Sequence, residues 1–469
     1  MLCAPKKHGK NVKAIKVKQR LHWRVKLKPG EKRILNIALP AVFEQLLLLM
    51  IGVYTTFFVG KLGNEYIGAV GFINTLLMFF QTIFNALAMG ATVVASHMKG
   101  EGEEKHVGKM LNQSLLFSVG LSLAVIAIGY SLDETLIGFL VNSPDPLVPK
   151  YALEYFDATF FSLIFIVIDI TVTAALRGVG NTRPTLYVSM VMNVLQILLC
   201  STLINGVGSF IPAFGLKGAA ISIVVVRAAG ALIKLAFVLT GRFGLKLTLG
   251  FRFDLKMMRR VIVIGLPALV EQFFFQGGFL LISSIVSSLD SAAFAGYQIG
   301  GNINGILQVF VLGFQIAVVA LIGESLGRKK RQLARYYLSR VTKISLIAMS
   351  VLSVILIALS RPVVGLFSSE ADVIGYGLFY VILFAVTSPL AVLIILYSGA
   401  LRAAGDVLYA MVTTLVGIWL FRIALTYVGQ SYLGWGVYAV GIGISVDFTV
   451  RSFLYHRRIK KGDWLYLNL

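Results

Sequence analysis

Glu44 and Glu271 stand 227 positions apart at the same place in two matching heptapeptides, Leu39-Pro40-Ala41-Val42-Phe43-Glu44-Gln45 and Leu266-Pro267-Ala268-Leu269-Val270-Glu271-Gln272. Each lies about ten residues inside a long apolar run, a depth of roughly 15 Å at the α-helical rise. A carboxylate at that depth suits one kind of chemistry. Loss of water raises its affinity for a proton, whereas an arriving cation favours the ionised form. Proton and cation then compete for one site, which is what exchange of one for the other requires. Asp169 and Arg227 also fall inside apolar runs. Ionisable groups in such places are candidates for ion or substrate handling, and these two could equally form a buried pair with no part in coupling.

Neutral polar residues run beside them. Gln298, Asn302, Gly305, Gln308 and Gln315 keep a spacing that places them on one helical face. Asn74, Gln81 and Asn85 do the same in an earlier run, and Gln45, Thr55, Asn193, Gln272 and Gln276 extend the set. They are candidate cavity lining, although interhelical hydrogen bonds also use such residues for packing. Tyr54, Phe273, Phe274, Phe275, Tyr297 and Trp419 could cradle a cationic ring, or simply pack and meet lipid.

Other chemistries find no support. Cys3 and Cys200 cannot build a disulfide framework or a zinc site, and the five histidines form no ligand cluster. No GxxxxGK[ST] stretch occurs, so no P-loop couples ATP hydrolysis. No nucleophile–base constellation suggests an enzyme. No cofactor or metal is expected; the energy source is an ion gradient, H⁺ or Na⁺.

The elements that position these residues follow from composition. Of 469 residues 57% are hydrophobic and 14% charged, against roughly 25% charged in soluble domains. A bilayer core about 30 Å thick needs roughly 20 apolar residues per helix. Twelve such spans are predicted, near 34–60, 67–98, 107–131, 152–176, 185–205, 217–241, 260–289, 292–323, 334–360, 374–401, 407–429 and 433–455. The fold class is all-α: a polytopic membrane protein of twelve transmembrane helices in two six-helix parallel pseudo-repeats. Of the 43 Lys and Arg, 36 fall on the side shared by both termini and 4 on the other, which makes that side cytoplasmic. The formal charge of +22 is thereby explained without a nucleic-acid partner.

The repeat also appears later in the chain, where Ala175-Leu176-Arg177-Gly178 recurs as Ala400-Leu401-Arg402-Ala403. Six spans per copy place both halves in the same direction, an arrangement suited to alternating access. The predicted organisation is a basic cytoplasmic arm (1–33), an N-lobe (34–241), a cytoplasmic connector (242–260), a C-lobe (261–457) and a cytoplasmic tail (458–469). The arm is read as a topogenic tail, or as a segment lying on anionic lipid, where each Lys or Arg contributes about 1 kcal/mol.

After residue 33 the chain resembles the multidrug and toxic compound extrusion (MATE) transporters. The resemblance rests on the Pro-x-x-x-Glu-Gln starts of spans one and seven and on Phe58-Val59-Gly60-Lys61-Leu62-Gly63. It also rests on the Ala-Leu-Arg-Gly-x-Gly-Asn-Thr-Arg-Pro exit of span four and on Gly215-Leu216-Lys217-Gly218-Ala219-Ala220. It implies two six-helix lobes and efflux of amphipathic, often cationic, compounds in exchange for H⁺ or Na⁺. Thr55 and Cys200 stand where many relatives carry a polar or acidic group, so an amino-lobe Asp pair is not carried over and Glu44 is its nearest substitute. With few carboxylates to ligate Na⁺, H⁺ is the preferred coupling ion.

The expected activity is therefore a secondary-active multidrug efflux antiporter, monomeric, in the cytoplasmic or plasma membrane, with small amphipathic cations and the lipid bilayer as its partners. The alternatives are a flippase for lipid-linked glycan precursors and a non-coupled channel or scaffold. A flippase calls for a more cationic cavity than the deep cations Arg227, Lys234 and Arg422 promise.

Overall fold

A chain segment in hydrocarbon must satisfy its backbone polar groups internally, and the long apolar runs accordingly form helices. The structure is a computed structural model and describes residues 28–140, 147–206, 212–248, 250 and 253–467. Twelve helices are long and apolar enough to cross a membrane. They are α1 (Pro29–Gly60), α2 (Glu65–Glu101), α3 (Glu104–Ser131), α4 (Leu147–Gly178), α5 (Arg183–Asn205) and α6 (Gly215–Leu239). The second set is α7 (Leu255–Ser287), α8 (Ser291–Gly327), α9 (Arg331–Ala358), α10 (Ala371–Ala403), α11 (Val407–Ser431) and α12 (Val437–Lys461).

Several helix ends reach beyond the predicted spans, those of α1, α7 and α12 among the farthest. α1 starts at Pro29, inside the predicted arm, because proline suits a first turn and the Glu31 carboxylate accepts the Lys28 N–H at 3.0 Å. α7 starts at Leu255, inside the predicted connector, where Asp254 caps it by accepting the Met257 N–H. That bond and Lys109, 3.1 Å away, hold the Asp254 carboxyl below the usual carboxylate range. α12 continues to Lys461, with its cations in the last turn favoured by the helix dipole. Most of the basic arm, residues 1–27, lies outside the described residues.

Inside α4 a 3-10 turn at Phe160–Ser162 separates two α-helical stretches. Phe156 and Phe160 stack there at 4.4 Å, and Phe160 lies against Gly129 of α3, where a Cβ would come within 2.1 Å of the ring. The turn matters later because it presents Ser162.

The lobes meet unevenly. One apolar core takes in Ile34 and Val42 of α1, Val94 of α2, Leu176 of α4, Val261 of α7 and Val318 of α8, so both halves contribute. Away from that end the core divides. One separate cluster, including Val59, Ile73 and Phe156, belongs to the first half alone. Another, including Ile299, Val364 and Val381, belongs to the second. At the joined end the backbones touch: a Cβ on Gly100 would lie 2.3 Å from the Glu324 carbonyl oxygen, and one on Gly327 2.3 Å from that of His97.

A polar clasp surrounds these glycines. The buried Glu324 carboxylate of α8 meets Arg33 of α1 at 2.5 Å, Arg328 at 2.6 Å and Lys99 of α2 at 3.8 Å. His97 Nε2 lies 2.7 Å from the Ala403 carbonyl oxygen. The two halves are thus sealed at the end that holds the start of α1 and the ends of α2 and α8. Gly327→Ala tests this packing. A methyl forced against backbone is expected to cost about 1–3 kcal/mol and to lower the thermal midpoint in detergent. Gly305→Ala, where a Cβ meets nothing within 4 Å, is the matched control and is expected to leave that midpoint in place.

Candidate functional site

Between the lobes, next to the sealed end, lies a cavity of about 550 Å³. It falls within the range typical of small-molecule sites. Of the residues singled out in the sequence, Glu44, Asp169, Arg227, Gln45, Gln81, Asn85 and Gln272 line it. Gln315, the last member of the α8 stripe, lines it too, and its Nε2 donates to the Ile395 carbonyl at 2.8 Å.

Glu44 is fully buried, and its Oε1 lies 3.2 Å from Arg177 Nη2. Thr185 Oγ1 donates to Oε2 at 2.8 Å. Glu271 repeats the arrangement: Arg402 Nη2 donates to its Oε1 at 2.7 Å, and Thr414 Oγ1 donates to the same oxygen at 2.8 Å. In each lobe the first helix supplies the acid, the last turn of the fourth supplies the arginine and the fifth supplies a threonine. Glu271 is off the cavity wall, but its partner Arg402 is on it, as is Arg177. Glu44 Oε1 and Glu271 Oε2 accept no hydrogen bond among the described residues, and Glu44 Oε1 is the oxygen that faces Arg177.

Asp169 and Arg227 do not form the pair considered from sequence. Asp169 meets the buried Lys234 at 2.7 Å, and Lys234 also donates to Thr173 Oγ1 at 2.8 Å. Arg227 instead donates to Ser162 Oγ at 2.7 Å. Positions 227 and 234 are two turns apart on one face of α6, and the depth of Asp169 selects the later one.

Other candidates lie elsewhere. Thr55, Asn74, Asn193, Gln276, Gln298, Asn302 and Gln308 are not on the cavity wall. Asn193 donates to the Leu47 and Ser189 carbonyls, and Thr55 to that of Ile51 while accepting from Gln196; these bonds serve packing. Among the described residues Phe165 is the one wall aromatic, and none of the six aromatics considered for a cation cradle joins it. Trp419 Nε1 donates to the Phe274 carbonyl at 3.1 Å.

Sequence reasoning also missed a charge cluster in the second lobe. Asp447 of α12, fully buried, lies 2.5 Å from Arg422 and 2.6 Å from Arg451. Arg422 sits in a π-helical stretch of α11, Val416–Ile423, beside Gly417. A Cβ on Gly417 would come within 2.4 Å of both Arg451 and Asp447. The Asp447/Arg451 spacing of four inside an apolar span was the available signal. Arg177 and Arg402 could have been found from recurring with Glu44 and Glu271 in the same repeat.

Removing one partner of a buried pair leaves the other charge unpaired and costs about 3–5 kcal/mol. A double-mutant cycle of Glu271→Gln with Arg402→Gln, followed by chemical unfolding in detergent, is expected to give a coupling of about 0.5–3 kcal/mol. The Glu44/Arg177 cycle is expected to match it. Additive effects in both cycles would show that neither pair holds its lobe together.

A family model described as MatE matches residues 40–202 and again 267–428. The chain is 26% identical over 434 residues to a probable multidrug resistance protein NorM of Thermotoga maritima, covering 92% of this chain and 93% of that one. Its fold is similar to a multidrug resistance MATE family transporter of the MOP superfamily solved in an outward-facing conformation. There the TM-score is 0.85 at 18% identity, over 93% of this chain and 97% of that one. It is also similar to a MOP superfamily transporter from Pyrococcus furiosus, at a TM-score of 0.86 and 18% identity, over 94% and 97% of the two chains. The description of that structure says that the reverse polarity of its binding pocket suggests a different function.

Proposed function

Because the chain belongs to the MatE family of integral membrane transporters, we propose that it is a secondary-active multidrug efflux antiporter that works by alternating access in exchange for H⁺. The observation that carries this reading is the cavity between two repeated lobes, sealed at one end, whose wall reaches a carboxylate–arginine pair in each lobe. With both termini cytoplasmic, as the Lys/Arg distribution argues, the Glu324 clasp closes the cytoplasmic side and the described state faces outward. Export then requires the clasp to open and the separated cores of the two lobes to meet. H⁺ is preferred to Na⁺ because, among the described residues, no three His, Cys, Asp or Glu side chains converge on one point.

A specific observation favours one alternative as well. Arg177, Arg227 and Arg402 all line the cavity, a more cationic wall than the sequence promised, and a flippase for phosphate-bearing lipid-linked glycans would use it.

Two measurements test the proposal. In proteoliposomes, dye release is expected to follow an imposed pH gradient, with Glu44→Gln and Glu271→Gln each slowing it at least tenfold at equal protein. Full activity in both variants would remove the glutamates from the mechanism, and release without any gradient would support the channel or flippase readings. Glu324→Gln is expected to loosen the clasp. With Cys3 and Cys200 replaced by Ser, a cysteine introduced at the cavity residue Ala88 should then react faster with an impermeant thiol reagent added on the cytoplasmic side. An unchanged labelling rate would show that the clasp does not govern access.

A further inference from the structure

The charges on the cavity wall do not cancel. Glu44 is taken by Arg177, Glu271 by Arg402 and Asp169 by Lys234. Each of these pairs is neutral. Arg227 is left over: among the described residues no carboxylate lies within 4 Å of it, and its one hydrogen bond goes to the hydroxyl of Ser162. It is part-buried and lies on the cavity wall. A guanidinium has five N–H donors arranged in a fork that matches a carboxylate or phosphate. Ser162 occupies one of them and holds the group in place from the 3-10 turn of α4.

We infer that Arg227 is the anchor of a binding site for an amphipathic anion, a compound bearing a carboxylate, sulfonate or phosphate on an apolar body. This rests on the transport reading above and specifies its cargo, in place of the cation expected from sequence. Three further features of the wall agree. Both wall carboxylates, Glu44 and Asp169, already have cationic partners, so an arriving cation must first break a buried pair, at the cost such a breach carries. Among the described residues the wall has one aromatic face, Phe165, too little to cage a cationic ring. The wall also carries Leu48, Met89, Ile170, Ile223, Leu312 and Ile316 to cover a hydrophobic body, while Gln81, Asn85 and Gln272 supply neutral polar groups.

The test uses two xanthene dyes of similar size and opposite charge, fluorescein and rhodamine 123. Binding to the purified full chain in an uncharged detergent is followed by fluorescence anisotropy, with protein-free micelles as reference. Fluorescein is expected to bind at least tenfold more tightly than rhodamine 123. Arg227→Gln should weaken fluorescein at least tenfold and leave rhodamine 123 unchanged or tighter, and Arg227→Lys should retain part of the fluorescein affinity. Short-chain phosphatidylglycerol, but not phosphatidylcholine, competing with fluorescein would identify lipid headgroups as a source of the same anion; no competition by either would identify soluble anions. Tighter binding of rhodamine 123 to the wild-type chain would overturn the inference even if the variants fail to fold, as would a fluorescein affinity indifferent to Arg227→Gln. Fluorescein that binds through Arg227 but never crosses the vesicle membrane would sink the transport reading and leave the anion site standing.

Discussion

An ionised carboxylate in a low-dielectric interior survives only beside a compensating charge, and that constraint organises each lobe. Glu44 and Glu271 lie deep in the first helix of their halves, where no water-facing surface can solvate them. An arginine at the end of the fourth helix reaches back to each, and a threonine of the fifth completes it. Three helices of a lobe are thereby tied at one point. The same arginines border the space between the lobes, so the groups that hold the helices together also face whatever enters.

The two lobes are joined by a different kind of contact. Glycines let α2 and α8 approach backbone to backbone, and a buried glutamate gathers three cations around the seam. Away from the seam each lobe also has apolar clusters of its own. A bundle built this way can exchange one closed end for the other without remaking the interior of either half.

Much of this was legible in the chain itself. Twelve apolar runs, the doubled heptapeptide and the depth of its glutamates are one-dimensional properties, and the helices follow them closely. The face of α8 was also legible, because helical period fixes it. Where along that face the lobes meet was not, and Gln315 reaches the wall whereas Gln298, Asn302 and Gln308 do not. Arg177 and Arg402 stand at helix ends, where the Lys/Arg distribution places them among the charges of the cytoplasmic side; only a side chain's reach reveals that they turn inward. The choice of Lys234 over Arg227 as the partner of Asp169 depends on how two helices are set in depth, which spacing along one of them leaves open. Asp447 has no acidic counterpart in the first half at the repeat offset, so the repeat does not point to it.

Three cancelled pairs and one bare guanidinium also have an electrical consequence. When access to a fixed site switches sides, the net charge at that site traverses the membrane field, and each elementary charge is worth about 2.3 kcal/mol per 100 mV. While their carboxylates are ionised, the pairs add nothing to that term, and a proton taken up by one of them adds its own charge. An empty site carries the single positive charge of Arg227, whereas a site holding a monovalent anion carries none. On the exchange proposed above, the voltage across the bilayer therefore acts on the proton-carrying return, in which Arg227 stands bare, and leaves the anion-loaded stroke untouched.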